Sequence, residues 1–166
     1  MQQHLIAPRS VASPYRFNAS PATVPRRYRR SSQVDADQQF MAMLDGYRDS
    51  GGLARTHEVL ALSKRCGDPD AATLADWVAQ REVISFEWQS QTWLPLFQFT
   101  RPDLRPLPAL ARVLAELTSV CDPWELAAWL VQPNPWLANR TPVDALAANL
   151  PAVLDAARAE RFVVNG

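Results

Sequence analysis

Asp122-Pro123-Trp124-Glu125-Leu126-Ala127-Ala128-Trp129-Leu130-Val131-Gln132-Pro133-Asn134-Pro135-Trp136-Leu137-Ala138-Asn139-Arg140-Thr141-Pro142-Val143-Asp144-Ala145-Leu146 is the stretch that decides the fold of this chain. It spells out a helix start twice. Asp122 suits the N-cap, Pro123 the first helical position, and Glu125 can reach back to close a capping box. Thr141-Pro142-Val143-Asp144 repeats the device with Asp in place of the usual Glu. Between the two starts, Pro133 and Pro135 stiffen a short irregular connection, Pro133 to Arg140. The first helix therefore ends before Pro133, and the second is expected to end near Asn149.

Reading outward, Pro151 opens a final helix to about Arg161. On the other side, Leu107, Leu110, Val113, Leu114 and Leu117 form one apolar stripe. Further back the period falls from 3.6 to 2. Val83-Ile84-Ser85-Phe86-Glu87-Trp88 and Thr92-Trp93-Leu94-Pro95-Leu96-Phe97-Gln98-Phe99 read as a β-hairpin about a Gln89-Ser90-Gln91 turn. Pro95 donates no ladder hydrogen bond, so its strand is expected at an edge or with a bulge. Earlier still, three helices are expected. In the first, Phe40, Met43, Leu44 and Tyr47 share one face, from Val34 to Tyr47, and Gly51-Gly52 ends it. The second runs from Leu53 to Cys66. The third runs from Ala71 to Arg81, with Leu74, Trp77 and Val78 inward, after a Gly67-Asp68-Pro69-Asp70 turn whose acids can cap it. Helices followed by a hairpin suggest a winged-helix-like unit. The fold class is mainly α: a helical bundle with a degenerate helix-turn-helix region, a short β-hairpin and a C-terminal helical domain. The divisions are a disordered basic arm over 1–34, a helix-turn-helix-like region with the hairpin over 35–100, and a helical domain over 101–166.

Composition narrows the function. The chain has 166 residues and equal numbers of basic and acidic side chains, 17 of each, so net charge gives no reason to expect an avid polyanion binder. The balance is uneven along the chain. Residues 1–30 carry six arginines and no acid, which joins a basic arm to an acidic body. Arg26, Arg27, Arg29 and Arg30 cluster around Tyr28, a candidate contact for DNA or an acidic partner. Pro8, Pro14, Pro21 and Pro25 leave the arm no helical or strand period, and a solvated, disordered segment is the plain reading. Hydrophobic residues make up 48%, enough for a core. The longest apolar run, Leu126–Val131, is far short of a membrane span, no secretory signal is evident, and Cys66 and Cys121 do not make a disulfide framework. A cytoplasmic protein with free thiols is expected.

Catalytic and metal signals are missing. His4 and His57 are distant in sequence from both cysteines, so no zinc set is expected. There is no nucleophile elbow, no phosphate-binding glycine loop, and the paired carboxylates Asp35/Asp37 and Asp68/Asp70 lie at turns or helix starts, where capping explains them. No cofactor and no enzymatic activity are expected. A recognition helix over 71–81 would carry Asp76 and Arg81 after Asp68 and Asp70, and those acids would repel phosphate. The six tryptophans stand out instead: Trp77, Trp88, Trp93, Trp124, Trp129 and Trp136. About four are expected in the core and two outside, with Trp136 in its proline-stiffened loop the best exposed candidate. Large rings at low entropy cost favour binding hot spots.

Phe97-Gln98-Phe99, Asp122-Pro123-Trp124 and the run from Trp129 to Leu146 resemble the toxin-binding domain of Xre/MbcA/ParS-type antitoxins, a DUF2384-like pattern of the form fQF, then W-L-x-x-P-N-x-x-L-x-G-R-x-P-x-D-x-L. The resemblance covers about residues 50–166 and is most specific in the loop and the helix after it. Matching positions are Pro133, Asn134, Leu137, Arg140, Pro142, Asp144 and Leu146. Asn139 stands where the family usually has Gly; Asn tolerates a positive φ best among the other residues. The resemblance implies a bacterial antitoxin of a toxin–antitoxin system. Its partner would be a RES-domain toxin that consumes NAD, and it would obstruct that toxin's active site. It also suggests a homodimer; the apolar stripe of the helix over 34–48 offers either an interface for it or packing within the molecule. Pro133, Asn134, Trp136, Leu137, Arg140, Asp144, Arg158 and Arg161 are the candidate partner-binding residues. Arg140 can cap carbonyls or pair with Asp144, or it can reach a partner's carboxylate or phosphate. Arg158 and Arg161, with Phe162 and Val163, make a mixed basic and apolar end that either frays or enters a toxin cleft. The alternative function is a DNA-binding transcriptional regulator acting through the basic arm and the helix-turn-helix remnant.

Overall fold

Phe40, Met43 and Tyr47 recur at helical spacing, and in the structure, a computed structural model that describes residues 33–66 and 69–165, all three are buried. The first two lie on helix α1, Gln33–Gly46, and Tyr47 follows it directly. Phe40 stacks face to face on Trp88 with centroids 3.7 Å apart and meets Trp93 edge-on at 5.0 Å. The Tyr47 hydroxyl donates to the carbonyl of Ala127 at 2.7 Å. Complete burial pushes its phenol well above the ordinary range, so it stays a neutral donor. The basic arm with Arg26, Arg27, Arg29 and Arg30 lies outside the described residues, as do Gly67 and Asp68 of the interhelical turn.

The chain then departs from the expected helix at Leu53. Gly51 and Gly52 adopt φ of +111° and +84°, left-handed values that turn the chain back on itself. Leu53–Arg55 consequently forms strand β1, and helix α2 begins only at Thr56, ending at Cys66. The start signal is Glu58, whose carboxylate accepts the Arg55 backbone N–H at 2.6 Å, half of a capping box. Helix α3, Ala71–Ala79, is capped as expected by Asp70, which accepts the Thr73 N–H at 2.8 Å. Those hydrogen bonds hold the Asp70 carboxyl below its ordinary value. Its cap therefore persists at neutral pH and is lost as pH falls through that lowered value.

The hairpin is real but shorter than its sequence suggests. Strand β2 is Phe86–Trp88 and strand β3 is Gln91–Pro95, with Gln89 and Ser90 both left-handed in the two-residue turn between them. Residues Leu96–Gln98 leave the sheet as a 3-10 turn. The sheet order is β1-β3-β2, all antiparallel. Thus β3 is central, contrary to the edge position expected from Pro95. The proline is tolerated because it occupies the last position, opposite Leu53, and the next N–H, of Leu96, completes the pairing to Gly52 at 2.9 Å. Behind the sheet, Ala54, Val59, Leu74, Val83, Leu94, Phe99 and Leu104 form a small core.

The last third is helical. Helix α4, Pro108–Leu117, buries Leu110, Val113, Leu114 and Leu117. Helix α5, Pro123–Val131, carries the complete Asp122/Glu125 capping box and buries every residue from Trp124 to Leu130. Being apolar all round, it becomes the central core helix, with α1 on one side and α6, Pro142–Leu146, on another. Helix α7, Leu150–Asn165, packs along α4 and α6. Thus α6 is shorter, and α7 longer, than their sequences suggest. The larger core joins α1 and the sheet to α4–α7, so it draws on both sides of residue 100. No helix among the described residues is long and apolar enough to cross a membrane.

The tryptophans divide less evenly than expected: Trp93, Trp124 and Trp129 are buried, Trp77 and Trp88 are half-buried, and Trp136 is exposed. Trp124 donates to Gln39 at 3.0 Å, whereas the indole N–H groups of Trp88, Trp93 and Trp129 are buried without an acceptor. Their cost is offset by the ring area removed from water.

Gln98 joins the two cores. It is wholly buried, and its side-chain amide accepts the Ile84 N–H at 2.7 Å and donates to the Ile84 carbonyl at 2.9 Å. Replacing it by Leu would leave both Ile84 groups unpaired. Gln98→Leu is expected to lower the unfolding free energy by about 2–5 kcal/mol in urea titration, each orphaned group costing roughly 1–3 kcal/mol.

Candidate binding surface

Pro133 cannot continue α5, and Asn134 converts that break into a closed elbow. Its backbone carbonyl accepts the N–H of Leu137 at 2.9 Å and of Asn139 at 3.0 Å, while its own N–H donates to the Arg140 carbonyl at 3.0 Å. Its side chain accepts the Trp136 N–H at 2.9 Å, capping the 3-10 turn Pro135–Leu137. Asn134 and Leu137 are buried. The chain then reverses through two left-handed residues, Ala138 at φ +53° and Asn139 at +61°. Asn suits that region; Ala does not, so position 138 stores backbone strain.

Past the reversal, Thr141 caps α6. Its hydroxyl accepts the Asp144 N–H at 3.3 Å and donates to the Asp144 carboxylate at 2.5 Å. Arg140 meets the carbonyl of Asp144 at 3.0 Å rather than its carboxylate. This is the carbonyl-capping role among those open to it, and the guanidinium remains at the surface. Trp136 is 69% exposed, although its backbone is held on both sides. The elbow thus presents an indole, the Arg140 guanidinium and the Asp144 carboxylate, with Pro133 also exposed and Pro142 buried beneath.

Arg158 and Arg161 belong to a different feature. Both reach across to Glu116 of α4, at 3.0 Å and 2.5 Å respectively, and Arg158 also pairs with Asp155 at 3.1 Å. Hydrogen bonding to Glu116 holds the Arg158 guanidinium above its ordinary value. The pairs lock the end of α7 against α4 and leave Phe162 and Val163 exposed beyond the lock. Sequence reading missed Glu116, because a single acid on the polar side of an apolar stripe looks like solvated surface.

Two further features bear on function. The exposed residues of α3 and the two that follow it are alanines, Asp76, Gln80 and Arg81, so one basic side chain stands against one acid. On α1, Val34 and Met41, seven residues apart, are both exposed. Among the described residues no group of three or more His, Cys, Asp or Glu side chains is placed to hold a metal ion.

Comparison of the chain with protein-family models, with curated proteins and with solved structures gives no match.

Each part of the elbow has a separable effect. Asn134→Ala removes a buried cap and is expected to lower stability by about 1–3 kcal/mol. Ala138→Gly relieves the left-handed strain and should raise stability by up to about 1 kcal/mol. Trp136→Ala removes an exposed ring and should change stability by less than about 0.5 kcal/mol. Thermal and urea denaturation of the three variants checks the order.

Proposed function

We propose that this protein is a non-enzymatic, antitoxin-like binding protein that neutralises a RES-domain, NAD-consuming toxin by covering its active-site entrance. The observation that carries the reading is the exposed Trp136 ring on an elbow whose backbone is tied down at Asn134. An exposed tryptophan normally loses binding free energy to ordering on association. Here the backbone and the two prolines have met most of that cost before the partner arrives. The indole supplies apolar area, and Arg140, held by one hydrogen bond, retains donors for a partner carboxylate. The sequence resemblance supports the same location, since its most specific positions, Pro133, Asn134, Leu137, Arg140, Pro142 and Asp144, are those that build the elbow.

Within this reading the candidate partner-binding residues divide by role. Asn134, Leu137 and Pro142 shape the surface, and Trp136, Arg140 and Asp144 touch the partner. Arg158 and Arg161 act by fixing α7, so that Phe162 and Val163 stand at a defined place. Obstruction needs only a rigid wedge of the right shape; no catalytic group is called for.

Purified chain added to a RES-type enzyme with NAD should inhibit NAD consumption stoichiometrically. The double variant Trp136→Ala/Arg140→Glu should raise the concentration needed by about 30-fold or more, the size of one hot-spot loss. Its melting temperature should stay within a few degrees of the parent. Absence of binding and inhibition by the parent chain would contradict the proposal.

A further inference from the structure

A concave feature lies away from the elbow, on the seam between the two cores. It is a groove of ≈ 340 Å³ between the end of α3, residues 81–85, and the facing ends of α4 and α5. Its apolar walls come from Val83 of the smaller core and from Ile84, Leu114 and Leu126 of the larger. Both sides are rigid. Gln98 grips Ile84 through two hydrogen bonds, and the Asp122/Glu125 capping box fixes the opposite lip. The volume falls at the lower end of small-molecule sites, roughly 300–1,000 Å³.

Arg81 stands at the mouth in an unusual backbone state. It occupies the position after the α3 cap, where the N–H of Arg81 bonds Val78 at 3.1 Å and that of Glu82 bonds Trp77 at 2.9 Å. That is a Schellman ending, and the residue at its left-handed position is ordinarily Gly. Arg81 takes φ +59° there. Its guanidinium crosses the groove mouth to the Thr118 carbonyl at 2.8 Å. That bond uses one of the five N–H donors a guanidinium carries, and the others remain for an anion. Ser85 lines the same groove.

Arg81, Cys121 and Asp122 are the titratable residues of the groove's lining. Cys121 lines it near Asp122, and burial first, then Glu125, Glu160 and Asp122, push its thiol up to about 12. Cys121 therefore stays a neutral thiol. The Asp122 carboxylate is turned into α5, accepting the Glu125 N–H at 2.9 Å. Arg81 is the cationic residue of the lining, so an anion would sit on its guanidinium with its apolar part directed at the walls.

We propose that this groove binds a small monocarboxylate with a short apolar body, the carboxylate on Arg81 and the body against Ile84, Leu114 and Leu126. A planar guanidinium beside a carboxylate forms the stronger, charge-assisted kind of hydrogen bond. The site is independent of the elbow and of any toxin partner.

Isothermal titration of the full chain with hexanoate, 1-hexanol and hexylamine separates the contributions. Hexanoate should bind saturably and at least about tenfold more tightly than hexanol, with hexylamine weaker than both. Arg81→Gln should reduce hexanoate affinity to that of hexanol. Ala79→Trp, a substitution at an exposed lining position, should block both ligands while leaving Arg81 and the fold in place. Equal affinity for hexanoate and hexanol, hexanoate binding unchanged in Ala79→Trp, or no saturable binding at millimolar ligand would each overturn the proposal.

Discussion

One buried asparagine governs the functional end of this molecule. Asn134 accepts through its side chain and twice through its carbonyl, and donates through its N–H, so the segment from Trp136 to Arg140 is bonded back onto a single residue. Short loops carry their polar backbone groups to solvent unless something pairs them. Here they are paired internally, so the loop can project a large ring without losing its shape.

That knot holds only because α5 is fixed. Every residue from Trp124 to Leu130 is buried, and the helix is fastened to α1 by the Tyr47 bond to Ala127. Packing is thus continuous from the stacked Phe40 and Trp88 rings through α1 to α5, the helix that leads into the elbow. A destabilising change in α1 should loosen the elbow although it lies far away in sequence. The Glu116 lock does the same work at the other end, joining α4 to the final turns of α7 by exposed and half-exposed charges. Such pairs add little stability singly, and their value here is geometric.

Much of this was legible in the residues. The Asp122-Pro123-Trp124-Glu125 and Thr141-Pro142-Val143-Asp144 signals mark α5 and α6 because capping is local chemistry, readable from a few neighbours. The exposure of Trp136 followed from its place in a short irregular connection stiffened by Pro133 and Pro135. Three features depended on distant partners and were not legible. Strand β1 has too few residues for a period, and it exists because two left-handed glycines aim Leu53–Arg55 at β3. Pro95 implied an edge strand, but a strand's last position escapes that rule. The role of Gln98 was only hinted at by a polar residue between Phe97 and Phe99, and its partner, Ile84, lies fourteen residues away. The seam groove was hidden for the same reason: Arg81 and Thr118 meet across 37 residues.

The elbow is ordered before any partner binds, with its indole already in water. Backbone ¹⁵N relaxation of the free chain tests this most directly, at the amides of Trp136, Leu137, Ala138, Asn139 and Arg140. Order parameters near about 0.85, matching those of α5, are the predicted result, and values below about 0.6 would contradict it.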